Sequence, residues 1–477
     1  MGKTRIVVLG GGPGGYVAAL RAASLGAEVC LIERENLGGT CLNWGCIPSK
    51  IMRHTSELYL KMGRTEHLGI DVHGSLSLNM AALMARKHKI LAAQRKGIAT
   101  LLSTGGVRVV QGSGRIEERG LVTIDSAAGS ETVAFDKLIV ATGTVPLQVE
   151  AFPFDNRTVL SSNDLLQLAS VPKSITIVGA GVIGCEFAFI LSGMGAEVTM
   201  VEAMSRVIPI PTVDELCSKI LLRELKKRKI RVLTDTIVSG IEPTDSGVSI
   251  NLQPSPFSEP PAKRTVPHTP LVSETMAVCI GRAPLSTDIG LEKIGLKPDN
   301  KGWITVNESM ETGVENVYAI GDILGPSRMM LAHVASHEGL IAAENAMGGA
   351  CRMDYDAAPG AIFTNPEIGN VGESELSARE KGLEIDCFAT SFRNLGKAQV
   401  IDEIAGEAKL VVERSSGRIL GVHLIGHGAT DLIGEGAVVV KNRLTVDELA
   451  HTIHAHPTLS EVFSEVAMKA LGKPVHG

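Results

Sequence analysis

Residues 38–50, Gly-Gly-Thr-Cys-Leu-Asn-Trp-Gly-Cys-Ile-Pro-Ser-Lys, hold the side chains of this chain best suited to chemistry. Cys41 and Cys46 stand five positions apart among glycines, just ahead of a helix-compatible run. They are too far apart for a Cys-x-x-Cys pair, yet they close a disulfide if the helix start is irregular. Such a pair accepts two electrons and then presents two thiols. A zinc site needs further Cys or His ligands at matching spacing, and none is near. The plain alternative is a pair of buried structural cysteines, which a nucleotide-binding pattern immediately upstream argues against.

A second chemical signal closes the chain: His454-Ala-His456-Pro-Thr-Leu-Ser-Glu461. Pro457 limits the geometry of His456, and a helix is expected just beyond it. Glu461 is then able to reach back to the His456 imidazole, and a histidine oriented by a carboxylate is an acid–base unit. Taken alone, two histidines near a helix start are surface residues.

The elements that position these groups begin at residue 5. Arg5-Ile-Val-Val-Leu9 predicts a buried strand, followed by Gly10, Gly12 and Gly15 at G-x-G-x-x-G spacing, a helix from Tyr16 to about Leu25, and a strand ending in Glu33. In a βαβ unit those glycines bring backbone amides to a pyrophosphate at a helix N-terminus, and the terminal acid accepts from a ribose hydroxyl. Residues 174–202 repeat the unit: Gly179, Gly181, Gly184 and Glu202 each lie 169 positions after Gly10, Gly12, Gly15 and Glu33. Two dinucleotide sites are the economical reading. Glu202 favours a free 2′-hydroxyl, hence NAD over NADP, with Arg206 nearby as the one contrary feature.

Between and after these units, residues 51–62, 79–102 and 214–229 predict helices, and 108–114 and 121–135 predict strands. Lys137–Gly143 is a strand ending in Ala141-Thr142-Gly143, a small-residue turn that lets backbone approach a ligand or is an ordinary strand end. Thr312–Asp322 is a strand with a terminal acid. Asp322 either bonds a ribityl hydroxyl or caps the helix expected around 331–347. Residues 254–270 hold six prolines and predict an exposed loop at a hairpin tip. From residue 359 onward strands at 362–372, 384–391, 407–413 and 418–425 precede helices at 430–441, 445–450 and 459–471, an α+β pattern.

A chain of 477 residues predicts about three domains and needs no disulfide staples. A net charge of −6 and 3% aromatic residues disfavour nucleic acid. The other six cysteines are scattered singly in apolar contexts. Together with a start directly into a strand pattern, this predicts a reduced cytoplasmic protein. No apolar run is long enough for a membrane span, and no metal site is expected.

The Cys41–Cys46 segment, Ala-Thr-Gly, Tyr318-Ala-Ile-Gly-Asp322 and the 454–461 segment occur in an order that closely resembles the dihydrolipoamide dehydrogenase branch of the flavin disulfide reductase family. The resemblance covers essentially the whole chain. It implies an α/β fold with two Rossmann-like dinucleotide-binding domains and a C-terminal α+β dimerisation domain. The implied boundaries are 1–150 for FAD, 151–278 for NAD, 279–350 completing the FAD domain, and 351–477 for the interface. It implies FAD and NAD as cofactors. Cys46 would be the flavin-proximal sulfur and Cys41 the sulfur that exchanges with substrate. Lys50 would lie near the flavin and pair with Glu186. Thr40, Gly114, Thr142, Gly143, Asp322, Leu331 and Ala332 match FAD-side positions, and Val238 and Gly281 match NAD-side ones. His456 and Glu461 would come from the partner subunit of a homodimer. The substrate would be dihydrolipoamide carried by another protein of a 2-oxoacid dehydrogenase or glycine cleavage complex. Related reductases of glutathione-type disulfides usually carry Pro-Lys-Lys where this chain has Pro48-Ser49-Lys50, and Ser49 and Glu202 argue against that alternative. A non-catalytic assembly subunit would not need Cys41, Cys46 and His456. The chain departs from many relatives at Asn365, at Ala283-Pro284-Leu285 and in the proline-rich stretch.

Overall fold

A computed structural model describes residues 2–257 and 269–476. Apolar runs form the centres of two parallel sheets. The first, in the order Val317–Ala319, Lys137–Val140, Arg5–Leu9, Glu28–Glu33, Arg108–Gln111, is parallel throughout. Its first strand comes from late in the chain, so the segment around 317–346 completes the sheet begun at residue 5. The helix Ala332–Ala346 seals that return against the helix Pro13–Ser24. The two cross closely because a Cβ on Gly339 would lie 2.5 Å from the Gly14 carbonyl oxygen.

The second parallel sheet runs Arg231–Leu233, Glu197–Val201, Ser174–Val178, Thr275–Val278, Val159–Ser161. Each parallel sheet is accompanied by a three-stranded antiparallel one. These are Ser113–Glu118 with Leu121–Ser126 and Gly129–Ala134, and Thr236–Thr244 with Gly247–Pro254 and Leu271–Ser273. The C-terminal region is a five-stranded antiparallel sheet, Gly360–Ile362, Glu367–Gly372, Ile419–Gly426, Glu407–Glu413, Ile385–Ser391. Helices Ala429–Lys441, Val446–Ala450 and Glu461–Ala470 pack with it around Phe392, Leu410, Leu424 and Phe463.

Some elements differ from the sequence expectation. The helix predicted over 51–62 starts at Cys46, because Pro48 sits in its first turn, where no intrahelical N–H bond is lost. The helix predicted over 79–102 is Met80–Thr104, capped by the Asn79 side chain accepting from Ala82 N at 2.9 Å. Residues 108–114 are two strands in two sheets, divided at Gly112. Only Val317–Ala319 of the 312–322 stretch is strand. Asp322 lies in a short turn of 3-10 helix, Gly321–Leu324, while Leu331 occupies the N-cap of the following helix, so Asp322 does not cap it. The proline-rich stretch falls largely outside the described residues; the strands flanking it, Gly247–Pro254 and Leu271–Ser273, pair antiparallel. Among the described residues no helix is long and apolar enough to cross a membrane.

Candidate active site

The redox pair is built by a break between two helices. Gly39–Trp44 carries Cys41, Gly45 interrupts it at φ −153°, ψ −111°, and Cys46 begins the next helix. This is the irregular start that a five-residue spacing requires. Gly45 permits it: a Cβ there would meet the Thr40 carbonyl oxygen at 3.0 Å. Both cysteines are free thiols here, with Cys41 placed to donate a hydrogen bond to Cys46, and the two are not equivalent. The bond from Cys41 and the Lys50 ammonium hold the Cys46 thiol below its ordinary range, against the effect of burial. Cys41 is pushed up, first by that same hydrogen bond and then by burial. Cys46 stands at a helix N-terminus, where unpaired amides favour a thiolate.

Lys50, one turn further along, pairs with Glu186 at 2.8 and 3.0 Å. Phe363 completes this contact: its N–H donates to Glu186 Oε1 at 2.9 Å, and its ring lies 4.2 Å beneath the Lys50 nitrogen. The sequence drew no attention to Phe363, because its partners are 177 residues away or more. Arg282 was equally unmarked. Its guanidinium donates to Thr144 Oγ1 at 2.6 Å and to the Thr144 carbonyl at 2.9 Å, and it stands 4.0 Å from Asp322. Burial raises the Asp322 carboxyl, partly offset by Arg282 and by the Thr144 hydroxyl donating at 3.2 Å.

These groups share one cleft of ≈ 1820 Å³. It is walled by Gly10, Gly12, Gly15, Glu33, Thr40, Cys41, Cys46, Lys50, Gly114, Thr142, Gly143, Asp322, Leu331 and Ala332, and further along by Gly179, Gly181, Glu186, Glu202, Val238 and Gly281. Of the glycines in the second unit, Gly184 does not reach the wall; it lies under the turn, where a Cβ would sit 2.0 Å from the Gly179 carbonyl oxygen. A typical site for one small ligand is about 300–1,000 Å³, so the cleft has room for two large ones.

The glycine units fit dinucleotides on local grounds. First and third glycines are required by packing: a Cβ on Gly10 would meet Ala141 O at 2.2 Å and one on Gly15 would meet Gly10 O at 1.9 Å. The second glycines are different. A Cβ on Gly12 meets nothing closer than 3.8 Å, and on Gly181 nothing within 4 Å. Gly12 and Gly181 are the N-caps of Pro13–Ser24 and Val182–Gly193, and no side chain caps either helix. Two uncapped helix N-termini therefore face free space in the cleft, as pyrophosphate sites must. The buried Thr142 Oγ1 and Asn163 Oδ1 in the same wall lack hydrogen-bond partners among the described residues.

Glu33 and Glu202 each brace their own turn. Glu33 accepts from Gly11 N and Glu35 N, both at 2.7 Å; Glu202 accepts from Ala180 N at 2.5 Å and Met204 N at 2.8 Å. Arg206 is engaged elsewhere in its own segment, with Val213 O, Ile210 O and Ser218 Oγ.

His456 Nδ1 meets Glu461 Oε1 at 2.8 Å, which leaves Nε2 without a partner among the described residues. Glu461 also accepts from Thr458 N at 3.0 Å; despite its partial burial these bonds hold its carboxyl below the usual range. The imidazole is 75% exposed, and neither residue belongs to the cleft within this chain. The neighbouring His454 is instead nearly buried, bonded to Glu435 at 2.7 Å.

Comparison with known proteins gives two family matches. Residues 4–339 match the pyridine nucleotide-disulphide oxidoreductase model, and residues 358–467 match the dimerisation domain of the same family. The chain is 36% identical to the mitochondrial dihydrolipoyl dehydrogenase of Pisum sativum, over 99% of this chain and 92% of that protein. It is 35% identical to the dihydrolipoyl dehydrogenase of Geobacillus stearothermophilus, over 99% and 97%, and 36% identical to the leghemoglobin reductase of Glycine max, over 98% and 88%. Its structure is similar to that of LpdA from Mycobacterium tuberculosis, with a TM-score of 0.88, 28% identity and coverage of 98% and 99%.

Proposed function

The chain belongs to the pyridine nucleotide-disulphide oxidoreductase family, and on that premise we propose that it oxidises protein-borne dihydrolipoyl groups to lipoyl groups and reduces NAD. The observation that carries this reading is the asymmetric Cys41–Cys46 pair, in one cleft with two uncapped helix N-termini. We assign residues 1–150 and 279–350 to FAD, 151–278 to NAD and 351–477 to the dimer interface. FAD fits the first unit, with Gly12, Glu33, Thr142 and Asp322 as contacts, and NAD fits the second, with Gly181 and Glu202. Held beside Cys46 and Lys50, a flavin would supply two-electron acceptance from the cysteine pair and hydride transfer to a nicotinamide.

The chain's own residues do the sulfur and proton chemistry. His456 of the partner subunit, oriented by its own Glu461, removes a proton from one thiol of the substrate. In the oxidised protein, where the two thiols seen here are joined as a disulfide, the thiolate attacks the Cys41 sulfur, a substrate–Cys41 bond forms, and the Cys41–Cys46 bond breaks. Cys46 leaves as a thiolate, stabilised by the Lys50 ammonium and its helix N-terminus. The second substrate thiol attacks the substrate sulfur already bonded to Cys41. The lipoyl ring closes and Cys41 departs, taking up the proton that the second thiol loses, while the imidazole keeps the first proton until it is released to solvent. On this reading the protein is a cytoplasmic homodimer, and the acid–base unit and the sulfur pair of one site come from different chains.

General-base help is typically worth about 10²–10⁴-fold. His456→Gln is therefore expected to slow dihydrolipoamide oxidation by at least the lower figure, with flavin retained in the visible spectrum. Turnover within a few-fold of the unaltered protein sinks the assignment.

A further inference from the structure

Between Glu202 and the helix Glu215–Lys227 the chain runs along the second half of the cleft, and Pro209–Val213 form part of its wall. Ile208, in this strap, has φ +46° and is fully buried. A β-branched residue takes up that left-handed conformation only where its surroundings impose it.

Three sets of contacts impose it here. Ile208 N donates to the Ala180 carbonyl at 2.8 Å, which pins the strap to the second glycine turn. The C-terminal region grips it: Asn370 Nδ2, from its sheet, donates to Thr212 O at 3.0 Å, and Ser374 Oγ, at the N-cap of the helix that follows, donates to Pro211 O at 2.9 Å. Lys409 Nζ binds both oxygens of Asp214 at 2.9 and 3.0 Å. Arg206 closes the loop on itself: Nη1 donates to Val213 O at 3.1 Å and Ser218 Oγ at 2.8 Å, and Nη2 to Ile210 O at 2.9 Å.

An arginine just beyond the ribose-reading acid is where a reader of a 2′-phosphate stands. This guanidinium is turned into its own segment instead. We propose that Arg206 is a positioning residue for the nicotinamide-nucleotide site. It holds the strained 207–213 strap against the cleft and so gives the pocket its shape without reading the 2′ position. The proposal rests on the assignment of the second glycine unit to NAD. It makes the strap the link by which the C-terminal sheet steadies that pocket.

The test uses full-length holoprotein carrying Arg206→Met, with Ser218→Ala as a milder variant that removes one acceptor outside the cleft. NADH affinity is measured by fluorescence titration. KM and kcat are measured with free dihydrolipoamide and either NAD or NADP, and flavin content is checked by absorbance. Loss of charged hydrogen bonds to a shaped loop is expected to raise the NADH Kd and the KM for NAD about tenfold in Arg206→Met. A smaller rise in the same direction is expected in Ser218→Ala. Flavin content and kcat stay within about twofold, and the NAD-to-NADP preference is unchanged. Unchanged NADH affinity in both variants overturns the proposal. So does an effect confined to NADP, which makes Arg206 a phosphate reader, or an equal loss of flavin, which makes it a general support of the fold. Absence of dihydrolipoamide oxidation by the unaltered protein, with the NADH titrations as expected, refutes the activity and leaves the positioning role intact.

Discussion

The two glycine units are copies at the level of single hydrogen bonds. Gly11 N to Glu33 and Glu35 N to Glu33 in the first become Ala180 N to Glu202 and Met204 N to Glu202 in the second, each shifted by 169 positions. The copies part company where the chain returns to the glycine turn. In the first, Gly38 N donates to Gly11 O at 2.8 Å, with φ +95°. In the second the equivalent bond, to Ala180 O, comes from Ile208, one residue later than the repeat requires and at φ +46°. A glycine makes the return without strain and lets the chain pass directly into the helix of Cys41. The isoleucine makes the same return under strain, and the chain passes into a strap gripped by the C-terminal sheet. One turn was thus kept, and the segment after it was adapted, once to present sulfur and once to join regions of the fold.

The sharpest way to break this comparison is to fill the free space at each second glycine. In Gly12→Ala and Gly181→Ala the new methyl group meets no protein atom closer than 3.8 Å, so folding is expected to survive, and each variant should lose one ligand. Gly12→Ala should be purified colourless, with loss of all flavin-dependent activity. Gly181→Ala should be yellow and reducible by dihydrolipoamide, yet form almost no NADH. Absorbance spectra and NADH titration distinguish the two. Identical phenotypes for both variants dissolve the division of labour between the units.

A smaller effect sharpens it. Glu33→Gln and Glu202→Gln each replace one of two accepting oxygens by a donor, so one backbone N–H of each turn is left facing an amide nitrogen. The cost of losing a hydrogen bond to a charged group is about 1.5–3 kcal/mol. Glu33→Gln should weaken flavin retention and Glu202→Gln NADH affinity, each by roughly ten- to a hundredfold. Equal losses of both ligands in either variant tell against independent turns.

Legibility in the sequence divides along the same line. The repeat was legible because glycines with no room for a Cβ, and acids that brace their own turn, act on neighbours close in sequence. The pairing of His456 with Glu461 was legible for the same reason. Asp322 was legible only as an acid at a strand end, since its partners Thr144 and Arg282 come from distant parts of the chain. Phe363 was invisible because its role is to lie under Lys50 and bond Glu186 through its backbone, which any residue type can do. Arg206 was ambiguous, because a position four residues after Glu202 says nothing about where its guanidinium turns.

The two units meet at Lys50 and Glu186. Glu186 belongs to the second unit's helix, and the repeat-related position in the first is Val17. The carboxylate is therefore an addition of the second copy, and it holds a lysine of the redox helix. Lys50 lowers the Cys46 thiol, whereas Glu186 raises it. The Cys46 thiolate is present above its depressed pKa and is lost as pH falls through that value, below the ordinary free-thiol value of about 8.5. Removing the cation in Lys50→Met leaves the Glu186 carboxylate unopposed by Lys50, so the loss should move to higher pH by about one unit. Lys50→Met combined with Glu186→Gln should recover part of that displacement, because the remaining acidic influence is gone. Alkylation of the dithiol form by iodoacetamide across pH, with Cys46 followed by peptide mass analysis, reads both midpoints. A profile that stays put in Lys50→Met would show that the Cys41 hydrogen bond alone sets the thiolate, and that the second unit lends the sulfur pair no electrostatic support.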